Sequence, residues 1–203
     1  MSPPTARPAV PTAPSQRHHP ASLTDRLLGC RHRAYPRTMP RLFVAVWPPD
    51  DVVRELAAMP RPEVDGLRWT KPERLHITLR FLGQCDEAEA AGALRRVSYA
   101  PATVTLGPTL KRLGRGVVML PASGVYGLAM SVTEATGHLG QPPPNRRFTG
   151  HMTVARFRRD PPSGQWPPAG LPTIDATFTV SEMALVRAEP SGAYVNVERF
   201  EPR

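Results

Sequence analysis

Cysteine is scarce in this chain: Cys30 and Cys85 are the only two, which excludes a disulfide framework and a cysteine-built zinc cluster. Long apolar runs are also missing. The longest, Leu42 to Trp47, is far shorter than the about 20 residues a membrane-spanning helix needs. No apolar stretch resembles a secretory signal, so a reducing, cytoplasmic setting is expected. The G-x-S-x-G nucleophile elbow, the P-loop and the dinucleotide fingerprint are absent, so neither a serine hydrolase nor an ATP or NAD enzyme is indicated.

Lysine is nearly lacking as well. Arginine supplies 24 of the 26 basic residues, and the formal charge is +9. The planar arginine fork binds phosphate bidentately, which fits an anionic partner such as RNA. Genome composition would explain the same excess, so charge alone does not choose.

Residues 1–38 hold seven prolines, six arginines and one acid, Asp25, with no sustained periodicity. Such a segment buries too little apolar surface to offset its chain entropy and is expected to be a disordered extension. Translation beginning at Met39 is the simpler expectation. Residues 39–203 then form a single catalytic domain.

From Met39 a regular pattern begins. Arg41–Trp47 reads as a buried strand, and Pro48-Pro49-Asp50-Asp51 opens a helix reaching about Met59. A strand is expected over Arg74–Leu82, then a helix from Asp86 to about Tyr99. Strands follow over Ala102–Leu106 and Gly116–Leu120, a weak helix over 127–138, and a strand over Thr149–Phe157. A proline- and glycine-rich loop, Asp160 to Pro172, precedes two last strands, Thr173–Val186 and Tyr194–Phe200. Strands alternating with helices predict an α/β or α+β fold.

Two tetrads stand out: His76-Ile77-Thr78-Leu79 and His151-Met152-Thr153-Val154. Each alternates with the period of a strand, so His and Thr share one face and the apolar pair the other. Chance gives about 0.5 of a bare His-x-Thr in this composition, so one copy says little and two complete tetrads say much more. They begin 75 residues apart. That spacing predicts two similar lobes, each giving one central strand to a shared cleft. Histidine's ordinary pKa, about 6.5, lets one imidazole accept a proton while another donates. Opening a cyclic phosphate with water needs both acts. A metal site would want further ligands. His138 is the only other histidine outside the first 38 residues, and no metal spacing accompanies the tetrads.

The run Arg68-Trp-Thr-Lys-Pro-Glu-Arg-Leu-His-Ile-Thr-Leu-Arg-Phe-Leu-Gly83 resembles the first signature of the two-histidine phosphoesterases. It is closest to their RNA 2',3'-cyclic phosphodiesterase branch, historically called 2'-5' RNA ligases. Met39–Trp47 is similar to that family's opening strand, and Arg147–Phe157 to its second signature. The resemblance implies a bilobal fold, two β-sheet lobes with helices outside and a central cleft. It implies metal-independent hydrolysis of RNA 2',3'-cyclic phosphate ends to 2'-phosphates, with no cofactor; a monomer is expected, although the sequence does not fix the oligomeric state. It assigns His76 as proton donor and His151 as acceptor, Thr78, Thr153 and Arg156 as phosphate contacts, and Phe81 as an aromatic near the base. Arg156 and Phe81 lie five residues after their histidines, an odd offset that a regular strand would turn away from the cleft. A bulge would re-aim them. By the same parity Arg80 is an extra candidate on the His76 face. Gly150 stands where many relatives place proline, which implies a looser approach to His151. The alternatives are a non-catalytic RNA-end-binding protein, or the same chemistry on another cyclic phosphate or a 2'-5' oligonucleotide, including reversal to 2'-5' ligation.

Overall fold

The computed structural model describes residues 39–158 and 171–203. The expectations on residues 1–38, and on most of the loop from Asp160, lie outside the described residues.

The first strand, β1 (Arg41–Val46), shows why its sequence is apolar without alternation. Leu42, Val44 and Val46 enter the main core, while Phe43 and Ala45 join a smaller cluster with Ala184 and Val186 on the other face. A strand buried on both faces reads as a continuous apolar run. Helix α1 (Asp50–Ala58) follows with Asp50 and Asp51 in its first turn, where the helix dipole favours acids, and buries Val52 and Leu56. Strand β2 (Leu67–Trp69) and a 3₁₀ turn (Pro72–Arg74) lead into β3 (Ile77–Gln84). Asp86 caps α2 (Glu87–Leu94) by accepting from the Glu89 amide at 2.9 Å.

Next come β4 (Thr103–Leu106), β5 (Lys111–Leu113), β6 (Val117–Ser123) and α3 (Tyr126–Thr136). The chain then forms β7 (His151–Phe157), β8 (Ala176–Thr179), β9 (Met183–Ala188) and β10 (Tyr194–Phe200). The strands form one curled sheet in the order β10-β9-β1-β3-β7-β6-β4-β8, with β2 on β7 and β5 on β6, and each ladder is antiparallel. This is the α+β form of the expected class. Four strands of that order lie on each side of the β3–β7 seam. The two sides are not the two halves of the chain, because β9 and β10 return to pair beside β1. Where one long strand was expected over Thr173–Val186, β8 and β9 are separate.

The parity expectation for Arg80 fails. In β3, Thr78 pairs with Ala45 and Arg80 with Val44, so Leu79 is an extra residue and the strand bulges there. The bulge turns Arg80 inward, leaving it 4% exposed. Its guanidinium donates to the carbonyls of Thr133 (3.0 Å), Leu139 (3.2 Å) and Gln141 (3.0 Å). It therefore ties β3 to the end of α3 and the segment that follows. Arg80→Ala is expected to lower unfolding stability by on the order of 3 kcal/mol, because three carbonyls, that of Leu139 buried, lose a charged donor. Arg80→Lys should recover only part of that, since one ammonium cannot span the three acceptors. Denaturant melts of both variants check this; a neutral Arg80→Ala would remove the tie from the account.

Candidate active site

The β3–β7 seam builds the site. Its single recorded pair is Ile77↔Met152, the second residue of each tetrad. In an antiparallel register His76 then lies toward Thr153 and Thr78 toward His151, one step to either side. The two histidines sit on a diagonal, for which a regular ladder gives roughly 7–8 Å between backbones. Ile77 and Met152 point the other way and are fully buried. His76, Thr78, His151 and Thr153 all line one cleft of about 1530 Å³.

The same bulge occurs in both strands. In β7, Thr153 pairs with Met119 and Ala155 with Val118, so Val154 is the extra residue, three after His151 as Leu79 is three after His76. Each bulge reverses the side-chain parity. Phe81 and Arg156, both five residues after their histidines, therefore turn back to the cleft and line it. Phe81 is 41% exposed and carries Arg41 over its ring at 5.5 Å.

Each imidazole is anchored alike. The Nδ1 of His76 lies 2.7 Å from the Arg74 carbonyl, and that of His151 lies 2.8 Å from the Thr149 carbonyl. A carbonyl only accepts, so Nδ1 carries the hydrogen and Nε2 is left to exchange a proton. Gly150, between that carbonyl and His151, is not slack. Its carbonyl accepts from the Ala122 amide at 2.9 Å, and a Cβ there would come 2.3 Å from the Ala122 oxygen. The close approach leaves room only for glycine at this position.

The surroundings of His76 were not foreseen from the sequence. Phe43, Trp47 and Tyr194 surround its ring at centroid distances of 5.0, 5.3 and 5.3 Å. Trp47 is held by its indole donating to Asn196 Oδ1 at 2.9 Å, and Arg74 lies over Tyr194 at 4.6 Å. Burial among these groups pulls the His76 imidazole from 6.5 to about 4. The charges of Arg74, Arg156 and His151 press the same way, against the bond to the Arg74 carbonyl. The only signal in the sequence was the unbroken β1 run, too apolar for one buried face.

Seven cations line the cleft: Arg41, Arg68, Lys71, Arg74, Arg156, Arg158 and Arg187. The one acid among the described lining residues, Glu189, is bound to Arg187. Among the described residues no group of three or more His, Cys, Asp or Glu side chains comes together to hold a metal.

A protein of Archaeoglobus fulgidus named RNA 2',3'-cyclic phosphodiesterase is 35% identical, over an alignment covering 60% of this chain and 75% of that relative. A family model described as LigT like Phosphoesterase matches residues 46–107. The chain belongs to the LigT-like phosphoesterase family. Its fold agrees with solved structures of such proteins. The Thermus thermophilus protein TT0787 is 28% identical, with a TM-score of 0.64 over 80% of this chain and 98% of that one. Escherichia coli LigT in complex with 3'-AMP shares the fold at 24% identity, with a TM-score of 0.64 over 80% and 98% of the two chains. The family model covers the first tetrad and stops before the second, so in this LigT-like chain His151 rests on the seam geometry.

Because His76 binds a proton more weakly folded than unfolded, acidification favours the unfolded chain. The stability contribution is present above pH 6.5 and is lost as pH falls toward about 4, by on the order of 3 kcal/mol. His76→Gln is expected to flatten that part of the stability–pH curve. An unchanged slope between pH 6.5 and 4 would mean His76 is not held neutral.

Proposed function

We propose that this chain hydrolyses RNA 2',3'-cyclic phosphate ends to 2'-phosphomonoesters without a metal ion. His151 Nε2 takes a proton from the attacking water, the new oxygen–phosphorus bond forms, and the bond to the 3' oxygen breaks. His76 Nε2–H gives its proton to that departing oxygen, so one water is consumed and charge is conserved. The Thr78 and Thr153 hydroxyls donate to the non-bridging oxygens, and Arg156 offsets their charge. Phe81 offers a face to the terminal base. A ribose 5'-hydroxyl in place of water would give a 2'-5' linkage by the same proton moves.

The observation that carries this reading is the matched pair of anchored imidazoles across one seam, each with a threonine on the same face. Binding alone needs no such pair. The name of the Archaeoglobus relative supports the substrate class. Purified protein is expected to convert a cyclic-phosphate-ended oligonucleotide to the 2'-phosphate isomer and to keep full activity in EDTA. His76→Ala and His151→Ala should each lower turnover by about 10²–10⁴ while substrate binding changes only severalfold. Equal loss of binding and turnover would favour an RNA-end-binding protein, and activity restored by zinc or manganese would count against the metal-free step.

One observation favours a second assignment of roles. With its pKa near 4, His76 is neutral at pH 7 and suited to accept a proton. As donor it needs the bound phosphodiester anion to offset Arg74 and Arg156 and raise that pKa. An activated leaving group separates the two, because it departs without protonation. If His76 is the donor, His76→Ala should lose far less activity on a nitrophenyl phosphodiester than on the ribose cyclic phosphate, and His151→Ala should lose equally on both. The opposite pattern would reverse the roles.

A further inference from the structure

We propose that Arg68 and Arg158 form a second phosphate site, which takes the internucleotide phosphate preceding the reacting end. The cleft would then prefer an oligonucleotide end to a free mononucleotide. The proposal rests on the reading above, with the terminal phosphate between His76 and His151.

Strands β2 and β7 pair as a short ribbon in which Arg68 stands directly opposite Arg156. Like charges directly opposite on an antiparallel ladder destabilise it. Here no carboxylate relieves them. Among the described residues, Arg68, Arg156 and Arg158 form no ion pair, and all three are exposed to the cleft. Arg158 is two residues beyond Arg156 and so shares its face. The register Leu67↔Phe157 puts Gly66 opposite Arg158, where the Arg158 amide donates to the Gly66 carbonyl at 2.9 Å. Nothing lies within 4 Å of where a Gly66 Cβ would stand, so Gly66 itself adds no bulk opposite Arg158.

The ribbon also points the right way. β7 begins at His151 and ends beside Arg158, so the arginines run outward from the reacting centre. Strand rise places Arg158 roughly 7 Å beyond Arg156 along β7. A polyanion leaving the centre along this path meets positive charge with, among the described residues lining the cleft, no acid in between. Beneath it Phe157 and Ala155 are buried in the core, which fixes the ribbon's position. Lys71, on the same side of the cleft, is engaged with Glu73 at 4.0 Å and is not needed.

The experiment compares kcat/KM on a nucleoside 2',3'-cyclic monophosphate with that on a short cyclic-phosphate-ended oligoribonucleotide. It uses the full chain and the double variant Arg68→Gln/Arg158→Gln. The unmodified protein should prefer the oligonucleotide. The double variant should lose roughly tenfold more on the oligonucleotide than on the mononucleotide. The salt slope of single-strand affinity should become shallower by about 0.7, one phosphate contact. Equal losses on both substrates, or an unchanged preference, would overturn the second site. If neither substrate is turned over, the catalytic reading fails separately. Fluorescence anisotropy with a 2'-phosphate-ended oligonucleotide then decides, and unchanged affinity and salt slope in the double variant would overturn the site on its own.

Discussion

One pairing, Ile77 with Met152, sets the geometry of the whole cleft. Both side chains are fully buried, so a slip of one residue in either strand would drive an apolar side chain into the cleft and a histidine or threonine into the core. The hydrophobic effect therefore fixes the register, and the register fixes which polar groups meet. The carbonyl anchors of His76 and His151 then orient each ring. No interaction between the two imidazoles is required to bring them to the same place.

The two bulges follow from the same seam. A strand of strict alternation could present His and Thr but would turn the +5 side chain into the core. Leu79 and Val154 each insert one residue at the matching point of the two strands, and Phe81 and Arg156 come round to the cleft as a result. The same displacement carries Arg80 inward, where its two terminal nitrogens donate to three carbonyls while its buried Nε is left without a partner. A buried cation without a carboxylate is costly unless its donors are used, so the bulge and the Arg80 contacts stabilise one another.

Much of this was legible in the alternation of a few residues. The tetrads, β1, β7 and β10 each follow the strand period or a plain apolar run, and their bounds agree with the sequence to within two residues. The three-residue strands β2 and β5 were not legible. Leu67-Arg-Trp69 and Lys111-Arg-Leu113 are too short to establish a period, and only their partners β7 and β6 make them strands. β8 and β9 merged in the reading because Ser181 and Glu182 break the strand without glycine or proline. Local periodicity could not show a bulge, which is a property of the ladder. It also could not bring Tyr194, near the far end of the chain, against His76.

The arginine excess takes its meaning from location rather than number. Away from the cleft, Arg95 pairs with Glu198 and Arg199 with Glu182. At its edge Arg187 bridges Glu87 and Glu189. Within the cleft, Arg41 and Arg74 lie over aromatic rings, and Arg68, Arg156 and Arg158 crowd one ribbon without an acid. A guanidinium stacks on a ring and keeps its donors in plane, which a strongly hydrated ammonium does less well. The cleft holds several like charges close to a neutral His76, a repulsion that the proposed phosphodiester substrate would relieve. On the proposed reaction, part of the attraction for the phosphate would thus be stored as repulsion beforehand, and the aromatic wall around His76 would strengthen it by keeping water from the ring.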